Sequence, residues 1–265
     1  MSAHQLPPLI YEIFSLYSNT HASHSKKLVK APSARTLFYA VEQAGLNCLA
    51  GNFFNKGAAV EETAARSLII KRASRQARDI RSFDMMPEDA REAGAHALSF
   101  IPGQVAVLRV EKEQAYFAFA SAPEDAEVEF LVKRGYGAGG AIYEMTEGDR
   151  VELVEIIGHG YPLREHKGND LVFVAMGTGV APLRSALRHV LKHREEFGQL
   201  VVLYGARTPD DFCYGDEVDE WEAAGVEVRR VISRPDGHDW SGPTGYVQSL
   251  LDHVLPGLSS QKQWS

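Results

Sequence analysis

The feature that most constrains this chain is a short apolar run that passes directly into a glycine turn and a helix. The run is Leu171-Val-Phe-Val-Ala175, and continuous apolarity is typical of a strand that is buried on both faces of a parallel sheet. It is followed by Met176-Gly-Thr-Gly-Val-Ala-Pro-Leu-Arg-Ser185, after which apolar residues recur at helical spacing as far as Leu191. The sequence therefore predicts a strand, a tight turn and an amphipathic helix in direct succession.

Further units of the same kind follow this one. Residues 199–204 and 226–232 have the character of buried strands, and residues 246–254 have the apolar spacing of a helix. Between the two strands, a helix is predicted to begin at Thr208, an N-cap followed by proline, and to end at Gly225. Regular alternation of strands and helices predicts a parallel α/β domain.

The preceding part of the chain, residues 66–157, has a different pattern. Short strand-like segments are separated by Gly, Pro, Asp and Glu, which predicts a small antiparallel β-barrel with one helix near residues 139–145. The polar stretch 164–169 separates the two patterns. We therefore predict three regions, namely an N-terminal extension over residues 1–60, a barrel domain over 61–166 and the α/β domain over 167–265.

The N-terminal extension is basic, with two acidic residues against five Lys and Arg. We interpret it as a flexible or loosely helical segment, with a targeting peptide as the alternative. An organelle transit peptide is usually richer in Arg than this segment. The expected location is therefore the cytoplasm, with the mitochondrial matrix as the alternative.

The composition argues against several classes of partner and site. A formal net charge of -7 argues against nucleic acid, because phosphate backbones are bound by clustered Lys and Arg. The cysteines Cys48 and Cys213 are too few for a disulfide framework, a zinc–thiolate site or an iron–sulfur cluster, and no metal is predicted. No apolar run reaches the roughly 18–20 residues that span a bilayer, and no secretory signal is recognisable. A membrane partner is therefore not expected.

The glycine turn has the features of a phosphate-binding site. Free N–H groups at the start of a helix, together with the helix dipole, form a binding site for a pyrophosphate. Pro182 suits the first helical turn because its missing N–H would have no partner there anyway. The alternative is that Gly177 and Gly179 only allow the strand and the helix to pack closely.

A family resemblance joins these observations. The segment Gly177-Thr-Gly-Val-Ala-Pro-Leu-Arg184 resembles the nucleotide-binding turn of ferredoxin–NADP reductase-like enzymes, and residues 204–217 and 240–248 resemble later parts of the same domain. Phe100-Ile-Pro-Gly-Gln104 and Gly158-His-Gly-Tyr-Pro-Leu163 lie in the order expected of the family's flavin barrel. The nearest branch contains the electron-transfer subunits of dihydroorotate dehydrogenases and the gamma subunits of hydrogenases. The resemblance covers about residues 64–254.

The resemblance implies two cofactors, FAD and NAD(P)H, and two groups of binding residues. The NAD(P)-binding group comprises Gly177, Thr178, Gly179, Val180, Ala181, Pro182, Gly205, Ala206 and Arg207. The FAD-binding group comprises Phe117, Ala118, Phe119, Ser121, Leu131, Val132, Lys133, Gly137, Gly139 and Gly140. Arg207 is either a partner for the 2′-phosphate of NADP, because a guanidinium donates two parallel hydrogen bonds, or a solvated loop residue. No general acid or base is assigned.

The chain departs from the family in its flavin motif. The family strand Arg-x-Tyr-Ser is replaced by Ala115-Tyr-Phe-Ala118, so an alanine stands where the arginine meets the flavin pyrophosphate. Phe117 can still stack on a flavin ring. The helix start Gly137-Ala-Gly-Gly140 lacks the usual hydroxyl side chain.

A second departure concerns length, because few residues follow Val254 and another βαβ unit needs roughly 30. We therefore expect an α/β domain that lacks its last strands, with residues 171–175 forming an open sheet edge. A second copy of the chain or a partner subunit is expected to cover that edge, because an open apolar edge favours strand addition. The resemblance also implies slow hydride transfer, because the absent fourth strand of the family domain would form the nicotinamide half of the site.

The leading functional hypothesis is an oxidoreductase that transfers hydride between NAD(P)H and FAD and passes electrons to an unidentified acceptor. The first alternative is a non-catalytic nucleotide-binding or electron-transfer subunit that a partner chain completes. The second is a barrel that keeps the fold without binding a flavin. The fold does not decide among these hypotheses, because function depends on the site.

Overall fold

The structure of the protein is a computed structural model that describes residues 36–41, 65–89 and 98–258. The described part of the chain forms one antiparallel and one parallel β-sheet. The predicted architecture, a barrel-like antiparallel part followed by a short parallel α/β part, is therefore confirmed. No helix in the described ranges is long and apolar enough to cross a membrane.

Ten strands and four α-helices are described. The strands are β1 (Thr36–Val41), β2 (Arg66–Ala77), β3 (Ile80–Pro87), β4 (Val105–Val110), β5 (Glu113–Ala118), β6 (Val128–Lys133), β7 (Arg150–Ile157), β8 (Asp170–Met176), β9 (Leu200–Ala206) and β10 (Val226–Ile232). The helices are α1 (Gly137–Glu144), α2 (Val180–Leu191), α3 (Val218–Ala223) and α4 (Gln248–Leu258).

The antiparallel sheet contains six strands in the order β5-β4-β7-β2-β3-β6. Its inner face buries an aromatic cluster of Phe83, Phe119 and Phe130, each of which is fully buried. The sheet curls so far that Phe119, just after β5, forms an isolated bridge with Phe130 on β6, although these strands are the two ends of the sheet. The result is barrel-like without full closure. The helix α1 packs its buried Ile142 against this core.

The parallel sheet contains four strands in the order β1-β8-β9-β10. Successive side chains of β8 point to opposite faces, as the pleat of a strand requires. Phe173 packs in the cluster that contains Leu187 of α2 and Trp221 of α3. Val172 packs in the cluster that contains Leu250 of α4. Burial on both faces explains why the sequence of β8 is continuously apolar.

The prediction that β8 would be an open sheet edge was wrong. Residues 36–41, inside the predicted N-terminal extension, form β1, which pairs with β8 in parallel and places Tyr39 beside Phe173. Pairing between segments more than 100 residues apart leaves no local signal in the sequence, so the apolar run in residues 37–41 was not recognised as a strand. Among the described strands, β1 and β10 are the outer ones, and the reason for expecting a subunit against β8 is removed.

The helix predicted from Thr208 to Gly225 was only partly correct. Pro209–Asp211 forms a single 3₁₀ turn in which the Asp211 carboxylate accepts hydrogen bonds from the backbone N–H and the hydroxyl of Thr208. The α-helix begins only at Val218. Between these elements the chain turns inward and buries residues 212–214, with Tyr214 in the left-handed region at a φ of 57°. Burial of this segment takes precedence over the local helix signal.

Candidate functional site

The predicted pyrophosphate turn lies where β8 meets α2. A single 3₁₀ turn, Gly177–Gly179, joins the two elements, and no side chain caps either the turn or the helix. Gly177 has a φ of 53°, in the left-handed region where a side chain is strained. The side chains of Val180 and Ala181 are buried. The Val180 N–H is bonded to the carbonyls of Gly177 and Thr178, so the N–H groups without a side-chain cap are those of the Gly177–Gly179 turn that leads into α2. Uncapped N–H groups at a helix start are the arrangement that binds a phosphate.

A buried tyrosine holds this turn in place. The Tyr204 hydroxyl donates a hydrogen bond to the Gly177 carbonyl at 3.1 Å and accepts one from the Cys213 N–H at 3.1 Å. Burial raises the pKa of Tyr204 well above its ordinary value, so the hydroxyl stays protonated and remains a donor. The turn is fixed before any ligand binds.

The end of β9 brings the second group of predicted nucleotide-binding residues beside the turn. Gly205 is in register with Met176, so the two predicted groups meet at the carboxyl edge of the sheet. A Cβ at Gly205 would lie 3.1 Å from Val247, which gives this glycine a packing reason of its own. Arg207 follows on the surface with an exposed side chain. The carboxyl edge of a parallel sheet is where such folds bind ligands.

On the barrel, the structure brings Phe117 of β5 to the start of α1. A Cβ at Gly139 would lie 3.7 Å from Cζ of Phe117, so the ring and the helix start are neighbours. Gly137 has a φ of 67°, and no side chain caps α1. A stacking ring beside uncapped N–H groups fits a flavin and its pyrophosphate.

Two residues weaken that fit. Ala115, two residues before Phe117, has no positive charge that could pair with the flavin pyrophosphate. Glu113, two residues earlier again, has Oε2 3.2 Å from the position that a Cβ on Gly137 would take. A carboxylate there repels a pyrophosphate at the same helix start. The residues present therefore fit a flavin at its ring and hold its pyrophosphate less tightly.

Most of the other predicted flavin-binding side chains lie inside the barrel. Ala118, Phe119, Ser121, Leu131 and Val132 are buried, so their backbone groups alone are available to a ligand. The ring of Phe119 stacks on that of Phe100 at a centroid distance of 3.9 Å. Ser121 Oγ accepts a hydrogen bond from the Glu129 N–H at 3.0 Å.

Two of the remaining predicted residues have other surroundings. Lys133 Nζ is 3.6 Å from Asp79 Oδ2 at the surface. Gly140 packs so closely on the backbone of Gly135 that a side chain would not fit. The role of all these residues in flavin binding stays a prediction.

Comparison with known proteins gives a consistent result. Residues 173–263 match the family model described as "Oxidoreductase NAD-binding domain". The chain is 31% identical over 170 residues to the fruit protein pKIWI502 of Actinidia deliciosa, covering 56% of this chain and 51% of that protein. It is 35% identical over 153 residues to ferredoxin–NADP reductase B of Sorangium cellulosum, covering 56% and 62%. It is 25% identical over 163 residues to the sulfhydrogenase 1 gamma subunit of Pyrococcus furiosus, covering 59% and 55%.

Solved structures agree with the sequence matches. A ferredoxin–NADP⁺ reductase from Neisseria gonorrhoeae with bound FAD and NADP superposes with a TM-score of 0.60 at 18% identity, over 77% of this chain and 82% of that one. The CS-b5R domains of human Ncb5or superpose with a TM-score of 0.62 at 19% identity, over 76% and 60%. The chain is therefore similar in fold to ferredoxin–NADP reductase-like structures, and its residues 173–263 match the NAD-binding family model. It spans 51%, 62% and 55% of the length of the three curated relatives.

A buried arginine joins helix α2 to the barrel. Arg184 of α2 is only 6% exposed. Its guanidinium donates hydrogen bonds to Glu129 Oε2 at 2.7 Å and to the Ala120 carbonyl at 2.8 Å, both on the barrel. On its own side it donates to Glu217 Oε2 at 2.9 Å and lies 4.1 Å from the ring centroid of Tyr214. In the sequence, Arg184 is recognisable only as part of the turn motif, and no local signal predicts this contact.

The charges of this network are strongly coupled. Burial raises the pKa of Glu129, although the Arg184 charge acts in the opposite direction. Burial alone would lower the pKa of Arg184, but the hydrogen bond to Glu217 and the charges of Glu129 and Glu217 together outweigh that effect and raise it. The arginine therefore remains charged and holds two carboxylates. Through Glu129, the orientation of α2 and its glycine turn is tied to the barrel.

The predicted core position of Cys213 agrees with the structure. Its side chain is 1% exposed, and burial raises the pKa of the thiol to about 12. A neutral thiol is a poor nucleophile, so this cysteine acts as a packing residue.

A cleft of 470 Å³ lies on the barrel side of the segment after β9. Arg75 and Arg78, at the turn of the β2–β3 hairpin, line one wall, and Thr208, Phe212 and His238 line the other. Arg78 is engaged with Asp211 at 3.0 Å. The cleft separates the two halves of the molecule beside the end of β9.

Proposed function

We propose that this chain is an NAD(P)H-dependent flavin oxidoreductase, which transfers hydride between NAD(P)H and FAD and passes electrons to an acceptor. The observation that carries the proposal is the uncapped glycine turn of α2, which a buried arginine ties to the barrel that carries the flavin-type residues. Curated relatives named as ferredoxin–NADP reductase B and as the reductase component of propane 2-monooxygenase support the reaction class.

The nucleotide half of the site binds through its backbone. The N–H groups of Thr178 and Gly179 bind the pyrophosphate of the dinucleotide, with the positive end of the α2 dipole behind them. Gly205, Ala206 and Arg207 flank the adenosine ribose. The exposed guanidinium of Arg207 pairs with a 2′-phosphate, which favours NADPH over NADH.

The flavin half of the site positions a ring. Phe117 stacks on the isoalloxazine face, and the N–H groups at the start of α1 bind the pyrophosphate. FAD, when bound, supplies the chemistry itself by accepting a hydride and releasing electrons singly. The protein contributes binding and orientation, so no side chain is assigned as a general acid or base.

The Arg184 network sets the relation between the two halves. Hydride transfer requires reacting atoms about 3–3.5 Å apart, and small displacements reduce the rate strongly. Arg184 is hydrogen-bonded to Glu129 on the barrel and to Glu217 in the α/β part. It therefore fixes the position of one cofactor site relative to the other. It is a positioning residue and does not touch the cofactors.

The test is anaerobic reduction of FAD-reconstituted protein by NADPH and by NADH, followed by flavin absorbance in a stopped-flow instrument. Reduction in the range of ordinary enzyme turnover, roughly 1–10³ s⁻¹, supports the proposal. Gly215→Ala serves as the control variant, because a Cβ at Gly215 meets open space. If neither nucleotide reduces the flavin, the oxidoreductase proposal is wrong.

A second candidate function follows from Ala115 and Glu113. With no cation and a carboxylate near the α1 start, the barrel would retain little flavin, and the chain would serve as a nucleotide-binding or electron-transfer subunit. The two candidates differ in one result. Saturable binding of NADPH without flavin retention or flavin reduction favours the subunit, whereas flavin reduction favours the enzyme.

A further inference from the structure

Three metal-binding side chains meet where the barrel touches the nucleotide helix. Glu124 lies in the loop between β5 and β6, His189 lies in the last turn of α2, and His193 follows just after the helix. One ligand atom from each residue lies within 4.8 Å of the others, and all three residues are half-buried. The prediction that no metal binds rested on the cysteines alone and did not include this pair of histidines.

The geometry of the three residues suits a shared ligand. His193 follows the end of α2, and its N–H is bonded to the Val190 carbonyl in the last turn of the helix. The ring centroids of His189 and His193 are 5.1 Å apart, and Nδ1 of His189 is 2.6 Å from Oε1 of Glu124. The second oxygen of Glu124, Oε2, is shielded from solvent and has no hydrogen-bond partner among the described residues. An unpaired buried carboxylate oxygen is unfavourable, and a cation would satisfy it.

The neighbouring charges do not prevent a cation from binding. Arg188 and Lys192 flank the histidines, but Asp125 accepts hydrogen bonds from both, at 2.9 Å and 2.8 Å. Together with Glu124, Asp125 balances the two positive charges.

We propose that Glu124, His189 and His193 form a binding site for a divalent transition metal of the zinc class, with water as the fourth ligand. Two imidazoles, one carboxylate and one water are a donor set that zinc adopts in proteins. Ligand atoms about 2.0–2.1 Å from zinc lie roughly 3.3 Å apart in a tetrahedron. The ligand atoms of the three residues, all within 4.8 Å of one another, are close to this spacing.

The ion would clamp the barrel to the nucleotide domain. It replaces the hydrogen bond between His189 and Glu124 with coordination bonds that join the β5–β6 loop to the C-terminal end of α2. The N-terminal end of the same helix forms the glycine turn. The metal site is therefore a second tie between the two halves, in addition to Arg184, and it does not depend on the proposed redox activity.

The test uses Co²⁺ as a spectroscopic probe for Zn²⁺ on full-length protein that has been treated with a chelator. The expected result is saturable binding with the strong visible absorption of tetrahedral Co²⁺, which Zn²⁺ displaces. Loss even of residues that merely orient a ligand costs about 10- to 100-fold in metal affinity. His189→Ala, His193→Gln and Glu124→Gln should therefore each weaken binding by at least about tenfold.

The matched control is His253→Ala, because His253 is exposed on α4 and lies outside the cluster. This control should bind Co²⁺ like the original protein. His193→Gln keeps the test decisive if other variants fold poorly, because the described contact of His193 with the cluster is its ring contact with His189. Equal Co²⁺ affinity in His193→Gln and the original protein would overturn the proposal, as would the absence of a tetrahedral spectrum.

Discussion

Replacement of Arg184 by methionine should destabilise the protein in a pH-dependent way. Methionine keeps much of the volume of the side chain but leaves the buried carboxylate of Glu129 without its charge partner. Removal of one partner of a buried ion pair costs about 3–5 kcal/mol, because an uncompensated charge stays behind. Arg184 is 6% exposed and also loses its contacts with Glu217 and Tyr214, so we expect a loss in that range near neutral pH.

The pH dependence follows from Glu129. Burial raises its pKa in the folded protein, and loss of the Arg184 charge, which opposes that shift, should raise it further. When the pKa of a carboxyl group is higher in the folded protein than in the unfolded chain, the group stabilises the fold at pH values below its unfolded pKa. This stabilisation is lost as the pH rises through the folded pKa. The difference in stability between Arg184→Met and the original protein should therefore shrink towards acidic pH and grow towards neutral pH.

The assay is urea denaturation followed by tryptophan fluorescence at several pH values between about 5 and 8. The double variant Arg184→Met/Glu129→Gln removes the orphaned charge and should recover part of the stability. Arg150→Met is the matched control, because its ion pair with Glu88 is exposed, and it should change stability little. A small loss for Arg184→Met that does not vary with pH, or no recovery in the double variant, would refute the reasoning.

Further variants test the site and the sheet. Ala115→Arg should tighten FAD binding by about 10- to 100-fold, since it restores a charge-assisted hydrogen bond, and flavin retained after gel filtration measures this. Arg207→Ala should weaken NADPH binding by a similar factor of about 10 to 100 and leave NADH binding unchanged, as fluorescence titration will show. Gly179→Val should abolish binding of both nucleotides with flavin content unaltered; normal affinity would make the turn purely structural. Phe38→Pro and Tyr39→Pro should have opposite effects. Because only alternate N–H groups of an outer strand face its neighbour, one of these prolines should break the pairing of β1 with β8 and the other should be tolerated. Sedimentation should then detect self-association of the disrupted variant alone.

The sequence by itself determined the parallel α/β domain and its glycine turn. Residues 171–175 are apolar without interruption because β8 is buried on both faces, and that requirement is local to the strand. The turn could be located from its glycines. Gly177 has a left-handed φ, which favours glycine at that position whatever packs around it. The antiparallel strands of the barrel were likewise predicted from local alternation and turn residues.

The tertiary structure alone decided which distant segments meet. The pairing of β1 with β8, the contact of Arg184 with Glu129 and the approach of His189 to Glu124 join parts of the chain far apart in sequence. Periodicity reports which face of an element is buried, but it does not report what is packed against that face. The helix predicted from Thr208 failed for the same reason, since its capping signal was real but the core buried residues 212–214 instead. Local backbone preferences contribute less than the burial of apolar side chains, and that burial depends on the whole fold.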